Sequence, residues 1–233
     1  MNRRSVEQYR LSLFGRLVMG VSHEVDNHLS VILGFAELIQ LAGGAEKRAV
    51  DGAAKILAAG ERITAIVKQF SQHVRPHAPV REPFAPADVL AEIALFAKYD
   101  LGRGNVTLAT PESFPPGLLW GDRRDFALLL LSLLMNGAEA MAGRGGRLRL
   151  CVADRGDTWE FRVADEGPGI PADVLPRIFE EGFTTKAEPV NAGMGLPVAR
   201  RLVADAGGAL SVESPADGGC AATILYPVCP SGA

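Results

Sequence analysis

The sequence predicts an α+β chain: a two-helix hairpin that pairs with a second copy into a four-helix bundle, followed by a sheet with helices on one face. Three observations predict it. Apolar residues recur at Leu11, Phe14, Val18, Val21, Val25, Ile32, Phe35 and Ile39, stepping by 4 and 3 from Phe14 with His28 in the one gap; that is the seam of a helix packed lengthwise on other helices. A second seam follows at Ile56, Gly60, Ile63, Val67, Phe70 and Val74. After residue 86 the period changes, and short alternating runs mix with helical ones.

The elements follow in order. The first helix runs to about Leu41, where Gly43-Gly44 breaks it. Two helices joined by a tight Gly turn form an antiparallel hairpin. Alone it cannot bury both seams; dimerisation, with crossings near 20°, or docking on the rest of the chain would do so. Residues 75–86 hold four prolines and no helical period, so they read as an extended linker. The expected division is 1–75 for the hairpin, 76–86 for the linker and 87–233 for the second domain. That domain is expected to hold a helix from Pro86 to Lys98 and strands at Val106–Ala109 and Leu118–Trp120. A helix capped by Asp122 follows, with its apolar core from Phe126 to Met141. Arg147–Val152 and Thr158–Ala164 read as a strand pair, Gly195–Ala206 as a helix stopped by Gly207-Gly208, and Leu210–Glu213 with Cys220–Tyr226 as a hairpin around Asp217-Gly218-Gly219. Helices first, then strands with interspersed helices, give one sheet covered on one face.

Composition bounds the function classes. The chain has 233 residues, 48% hydrophobic and 22% charged, which predicts an ordered core. A net charge of −3 gives no electrostatic case for nucleic acid. Cys151, Cys220 and Cys229 form no C-x-x-C pair and read as small buried residues of a reducing compartment. No signal peptide pattern is visible and no uncharged apolar run approaches the roughly 18 residues of a membrane span, so a cytoplasmic location is expected.

Five stretches carry chemical signal. On the first helix, His23 falls at heptad position f, away from the seam, with Glu24 beside it and Asn27 one turn on; alone, such a histidine reads as a solvated surface residue. Asn136, in Asn136-Gly137-Ala138-Glu139-Ala140-Met141, offers a hard amide oxygen suited to Mg²⁺ or serves as a helix-end cap. Asp165-Glu166-Gly167-Pro168-Gly169-Ile170 follows an apolar strand; its glycines admit a flat ligand and its carboxylate can accept from an amine, or it is an ordinary turn. Ile178-Phe179-Glu180-Glu181-Gly182-Phe183-Thr184-Thr185-Lys186, ahead of Pro189-Val190-Asn191-Ala192-Gly193, reads as a loop with a hydrophobic hinge or as plain surface. Gly193-Met194-Gly195-Leu196-Pro197 opens a helix, where free N–H groups can cradle phosphate.

Taken together and in this order, the stretches resemble the H, N, G1, F and G2 boxes of sensor histidine kinases. Their catalytic domain is similar to the ATPases of gyrase and the Hsp90 chaperones. The resemblance spans roughly residues 10–228, and the wording Phe183-Thr184-Thr185-Lys186 is similar to the nitrogen-regulation type. It implies a dimerisation hairpin followed by an α/β sandwich that binds ATP and Mg²⁺. It implies His23 as phosphoacceptor, Glu24 as the neighbour that holds the ring and takes its proton, and Asn27 as the residue that orients water for dephosphorylating a partner. It implies Asn136 as Mg²⁺ ligand and Asp165 as the adenine-reading carboxylate, with Gly167 and Gly169 beside it. Phe179, Thr184, Thr185 and Lys186 would form the lid, and Gly193, Gly195 and Leu196 the phosphate loop. The activity implied is ATP-dependent autophosphorylation of His23 and transfer to an aspartate of a response-regulator receiver domain, with phosphatase action on that regulator as a second role. The alternative is a phosphotransfer scaffold that does not use ATP. A homodimer is implied, and membrane attachment only through a sensor segment outside these residues. Three positions depart from the pattern: His28 stands where proline is usual, Ser132 where asparagine is common, and Asp26 where a basic or polar residue is common. A straighter helix, one weaker polar contact near the metal, and repulsion of an incoming triphosphate are the expected consequences.

Overall fold

The computed structural model describes residues 1–41, 46–75, 78–186, 193–215 and 218–230. The expected turns at Gly43-Gly44 and Asp217, the Pro76-His77 step and residues 189–192 lie outside the described residues. Helix α1 (Arg3–Leu41) and helix α2 (Glu46–Val74) lie side by side as the hairpin. Strand β1 (Glu82–Phe84) comes next, then α3 (Pro86–Arg103), β2 (Val106–Ala109), β3 (Leu119–Gly121) and α4 (Arg123–Ala140). Strands β4 (Gly146–Asp154) and β5 (Thr158–Asp165) follow, then α5 (Gly195–Asp205), β6 (Ala209–Glu213) and β7 (Cys220–Pro227).

The main sheet has five strands in the order β2-β4-β5-β7-β6. Only the β2–β4 pair is parallel; the others are antiparallel. Period-2 alternation sets the faces: Trp159, Phe161 and Val163 of β5 point into the core, with Leu148 and Leu150 of β4 and Ile224 and Tyr226 of β7. Helices α4 and α5 cover that face. Helix α4 reads as an unbroken apolar run because it is enclosed on all sides, with Phe126 to Leu131 each at most 1% exposed. Asp122 caps it, accepting from the amides of Arg124 and Asp125 at 2.9 Å. Its other carboxylate oxygen accepts from the Val80 amide at 2.8 Å, so the cap also ties down the segment after the hairpin.

Several expectations need correction. The linker is not wholly extended coil: β1 pairs antiparallel with β3, Phe84 opposite Leu119. The α1 seam holds from Val21 onward, with Val25, His28, Ile32, Phe35 and Ile39 half-buried, but Leu11 and Val18 are exposed at 49% and 44%. The residues buried in the first half are Val6, Tyr9, Arg10, Leu13, Phe14, Leu17 and Gly20, of which Val6, Tyr9, Leu13, Phe14 and Leu17 join the core of the sheet domain. In α2 the stripe is Gly52, Ile56, Ala59, Ile63, Ile66, Phe70 and His73, while Val67 is exposed. Both shifts go with one feature: besides their mutual contact, α1 and α2 also pack on α3, where Phe14, Phe70 and His73 meet the ring of Phe96. Cys151 is exposed and Cys220 and Cys229 are half-buried, against the expectation that all three are buried. No described helix is long and apolar enough to cross a membrane.

Candidate nucleotide pocket and histidine helix

A cavity of about 370 Å³ opens between α4, the end of β5, the 168–186 segment and the start of α5. That volume lies within the roughly 300–1,000 Å³ of small-ligand sites. Of the sequence-derived cofactor residues, Asn136, Asp165, Gly169, Thr184, Thr185, Lys186, Gly193, Gly195 and Leu196 line it. They come from four segments spread over 60 residues, so the fold brings together what the motifs left separate. Gly167 and Phe179 do not line the cavity. Gly167 acts one bond away, its amide donating to Asp165 Oδ1 at 2.9 Å. The Phe179 ring packs instead under the Arg200 guanidinium, 5.1 Å from its centroid.

One end of the cavity is built around Asp165. It sits where β5 leaves the sheet, and Gly137 lets α4 approach it: a Cβ there would lie 2.6 Å from Leu148 Cδ1 and 3.4 Å from Asp165 Cβ. Burial raises the Asp165 pKa above the ordinary carboxylate value, against backbone hydrogen bonds from Gly167 and Cys220 that lower it. The turn beyond it is pinned. Gly169 has φ +80°, the Ile170 amide donates to Ser214 Oγ at 2.7 Å, and Ser214 Oγ donates to the Gly219 carbonyl at 3.0 Å. Val163, Ile170 and Ala222 add apolar wall. Cys220 also lines the cavity, its thiol pushed up to about 11 by burial and by the Asp165 charge, so it stays a neutral thiol.

The other end carries the polar groups. Asn136 Nδ2 is buried and has no hydrogen-bond partner among the described residues. A Cβ on Gly195 would lie 2.8 Å from that nitrogen and 2.9 Å from Asn136 Oδ1, so glycine is what lets the α5 N-terminus close on the amide. The orphaned Nδ2 can donate to a phosphate oxygen, and the amide's hard oxygen beside the α5 N-terminus suits Mg²⁺, so the residues present fit a Mg²⁺–phosphate ligand. Among the described residues no group of three or more His, Cys, Asp or Glu side chains forms a separate metal site. Ser132 is fully buried; its hydroxyl donates to the Gly195 carbonyl at 3.0 Å and lies 2.8 Å from the Tyr9 hydroxyl. The serine therefore supports the glycine loop from behind rather than facing the cavity.

Glu139 was not singled out from the sequence. It lines the cavity one turn after Asn136, and its carboxylate pairs with Lys186 and with Arg16 of α1. Its spacing of three from Asn136, which puts both on one helix face, was the available signal. Arg16, which also donates to Asp100 Oδ2 at 2.7 Å, carries no local signal of this role.

His23 is exposed on α1, away from the cavity, and neither Glu24 nor Asn27 lines the cavity. The Asn27 amide lies 3.3 Å from His23 Nδ1, and the ring of Tyr99 on α3 stands 5.4 Å away, centroid to centroid. Glu24 Oε1 accepts from Lys98 Nζ at 2.7 Å. A Cβ on Gly20 would lie 2.8 Å from Tyr99 Cβ, so this glycine allows α1 to sit against α3 beside His23. Asp26 is exposed, its backbone carbonyl accepting from Ser30 Oγ at 2.9 Å.

Residues 121–230 match the model of the histidine kinase-, DNA gyrase B- and HSP90-like ATPase family. The chain is 29% identical over 225 residues to the sensor histidine kinase ZraS of Klebsiella oxytoca, covering 94% of this chain and 47% of that protein. It is 26% identical to sporulation kinase A of Bacillus subtilis, covering 94% of this chain and 35% of that one. The chain thus spans about half the length, or less, of these curated relatives. Among solved structures, full-length ShkA in complex with AMPPNP superposes with a TM-score of 0.56 at 25% identity, covering 94% of this chain and 47% of that one. The histidine kinase ThkA in complex with the response regulator TrrA gives 0.56 at 21%, covering 97% and 65%. The fold, a helical region followed by a sheet-based ATPase domain, is that of histidine kinase catalytic domains.

Proposed function

We propose that this chain is the catalytic core of a sensor histidine kinase, which uses ATP to phosphorylate His23 and passes the phosphoryl group to a response-regulator aspartate. The carrying observation is the cavity in which Asn136, Asp165, Lys186, Gly193 and Gly195 converge from separate segments, on a chain whose exposed histidine sits on a long helix. The relatives' names and the ATPase-family match of residues 121–230 support the same reading.

In this reading Asp165 accepts from the adenine amine, and the α5 N-terminus with Gly193 and Gly195 holds the phosphates. Asn136 Oδ1 would hold Mg²⁺, which supplies charge neutralisation at the phosphates when bound. A ring nitrogen of His23 attacks the γ-phosphorus. The N–P bond forms as the bond to the β,γ-bridging oxygen breaks, and ADP leaves with that electron pair. Glu24 stabilises the imidazolium that forms and accepts its proton. In the arrangement described here Glu24 is paired with Lys98 and His23 lies beside α3. The transfer step therefore requires α1 to leave α3 and the ATP domain to swing toward the histidine. Residues 1–75 serve as phosphoacceptor and dimerisation unit, 76–86 as linker and 87–233 as ATP-binding domain, in the cytoplasm. Asn27, beside the imidazole, gives the same helix its second role, orienting water against the regulator's phosphoaspartate.

Incubation with γ-labelled ATP and Mg²⁺ tests the reading. Acid-labile label is expected on the chain, lost in His23→Ala with nucleotide binding intact. A chain that neither binds nucleotide nor takes label would favour the scaffold alternative, and label surviving His23→Ala would move the site elsewhere.

A further inference from the structure

The cation at the phosphate end of the cavity is already spoken for. Lys186 Nζ pairs with Glu139 Oε2, and Arg16 Nη1 pairs with Glu139 Oε1. The Glu139 side chain is 13% exposed, so both ion pairs are partly withdrawn from water. Arg16 is itself held by Asp100 at 2.7 Å, which fixes one half of the arrangement. Lys186 lies on an irregular segment and is 39% exposed, which leaves the other half free to exchange. A phosphate chain entering beside Asn136 would bring negative charge against Glu139 and toward Lys186. The lysine can then move to phosphate, while the carboxylate keeps Arg16 and is not stranded.

We propose that Glu139 is a specificity-determining residue: a built-in competitor for Lys186 that sets how strongly the pocket distinguishes nucleotides by the length of their phosphate tail. The proposal rests on the nucleotide-pocket reading above. A lysine that starts neutralised contributes only the difference between its phosphate and carboxylate partners, so the triphosphate gains less over the monophosphate than a free lysine would give. Adenine recognition, at the Asp165 end, is independent of this exchange.

Calorimetric titration of the full chain with AMPPNP and with AMP, in Mg²⁺, tests it. Glu139→Gln keeps shape and hydrogen-bonding capacity but frees the lysine's charge. It is expected to bind AMPPNP about 5-fold tighter with AMP within about 2-fold, the range of one partly screened ion pair. In the Lys186→Met background the same substitution should give no gain. Weaker or unchanged AMPPNP binding in Glu139→Gln overturns the proposal, as does an equal gain without Lys186, which would indicate plain repulsion. Should Glu139→Gln not fold, Lys186→Met alone decides: it should weaken AMPPNP by no more than about 3-fold, and a loss above about 30-fold overturns the competition. A parent chain that binds neither nucleotide overturns the nucleotide-pocket reading itself. Normal binding with no Glu139 effect overturns only the competition.

Discussion

The hydroxyl of Tyr9, near the start of α1, lies 2.8 Å from that of Ser132, deep in α4, and Ser132 in turn donates to the carbonyl of Gly195. The first helix thereby touches the glycine loop of the cavity through one buried serine. Desolvation holds the Tyr9 hydroxyl far above its ordinary pKa, so it remains a neutral partner at any physiological pH. Tyr9→Phe deletes one buried hydrogen bond while Ser132 keeps its other partner. A loss of about 1 kcal/mol is expected, read as a fall in Tm of about 2–4 °C. Nucleotide affinity should fall as well if α1 supports the loop, and calorimetry on the same variant checks that.

Gly193 has φ +68°, and a Cβ there would overlap the Phe183 carbonyl. Gly193→Ala therefore meets backbone rather than a flexible side-chain end, and adopts a left-handed conformation that alanine resists. A cost of about 1–2 kcal/mol in the closed loop is expected, read as roughly 10-fold weaker ATP binding with the sheet intact by circular dichroism.

Nucleotide binding should fail at a higher pH than an ordinary aspartate would dictate. The Asp165 pKa is raised by burial, and in the proposed reading adenine needs the ionised carboxylate as acceptor. As pH falls through the raised value, protonation removes the acceptor and affinity drops. Stability moves the other way: the folded state holds this proton better than the unfolded state, so protonation favours folding. Asp165→Asn should accordingly abolish binding yet unfold at a temperature no lower than the parent.

Glu92 joins three elements. Its carboxylate meets His73 Nε2 at 3.2 Å and Arg123 Nη2 at 2.8 Å, and the His73 ring stacks on Phe14 at 5.3 Å. Burial alone would raise its pKa, but the bonds from His73 and Arg123 outweigh it and hold it below the ordinary value. Its contribution is thus present above the unfolded-state value and lost as pH falls through the lowered one. Glu92→Gln should cost about 1–3 kcal/mol near neutral pH, the penalty shrinking in acid; denaturant unfolding at two pH values measures it.

The hairpin leaves large apolar side chains in water, Leu33 at 64%, Leu38 at 57% and Leu57 at 68% exposure. A homodimer through this face is expected to bury them. Leu57→Glu together with Leu38→Glu should convert the dimer to monomer by sedimentation velocity, because two carboxylates would enter an apolar seam. An unchanged sedimentation coefficient would place the interface elsewhere.

The sheet elements were legible because their signals are local. Alternation in β4 and β5, the Asp122 cap and the Gly207-Gly208 stop each lie within a few residues of the element they define. Strand β1 was not, since three residues next to prolines acquire strand character only by pairing with β3, some 37 residues later. Most residues named from the sequence do line the cavity, because glycines and carboxylates at element ends stand out against apolar runs. Glu139 and Arg16 were missed because an ion pair between residues 123 positions apart leaves no trace in spacing.

By itself the sequence determined the order of elements, the hairpin and the residues available to line a nucleotide cavity, since capping, periodicity and glycine placement act over short range. Only the tertiary structure decided which face of α1 is buried. The helix is apolar on more than one side, and Tyr9, Leu13 and Leu17 go inward while Leu11 and Val18 stay out because the first half of α1 joins the core of the sheet domain as well as packing on α2. The tertiary structure also decided where the charges rest: Glu24 on Lys98 and Lys186 on Glu139, pairings between segments 74 and 47 positions apart.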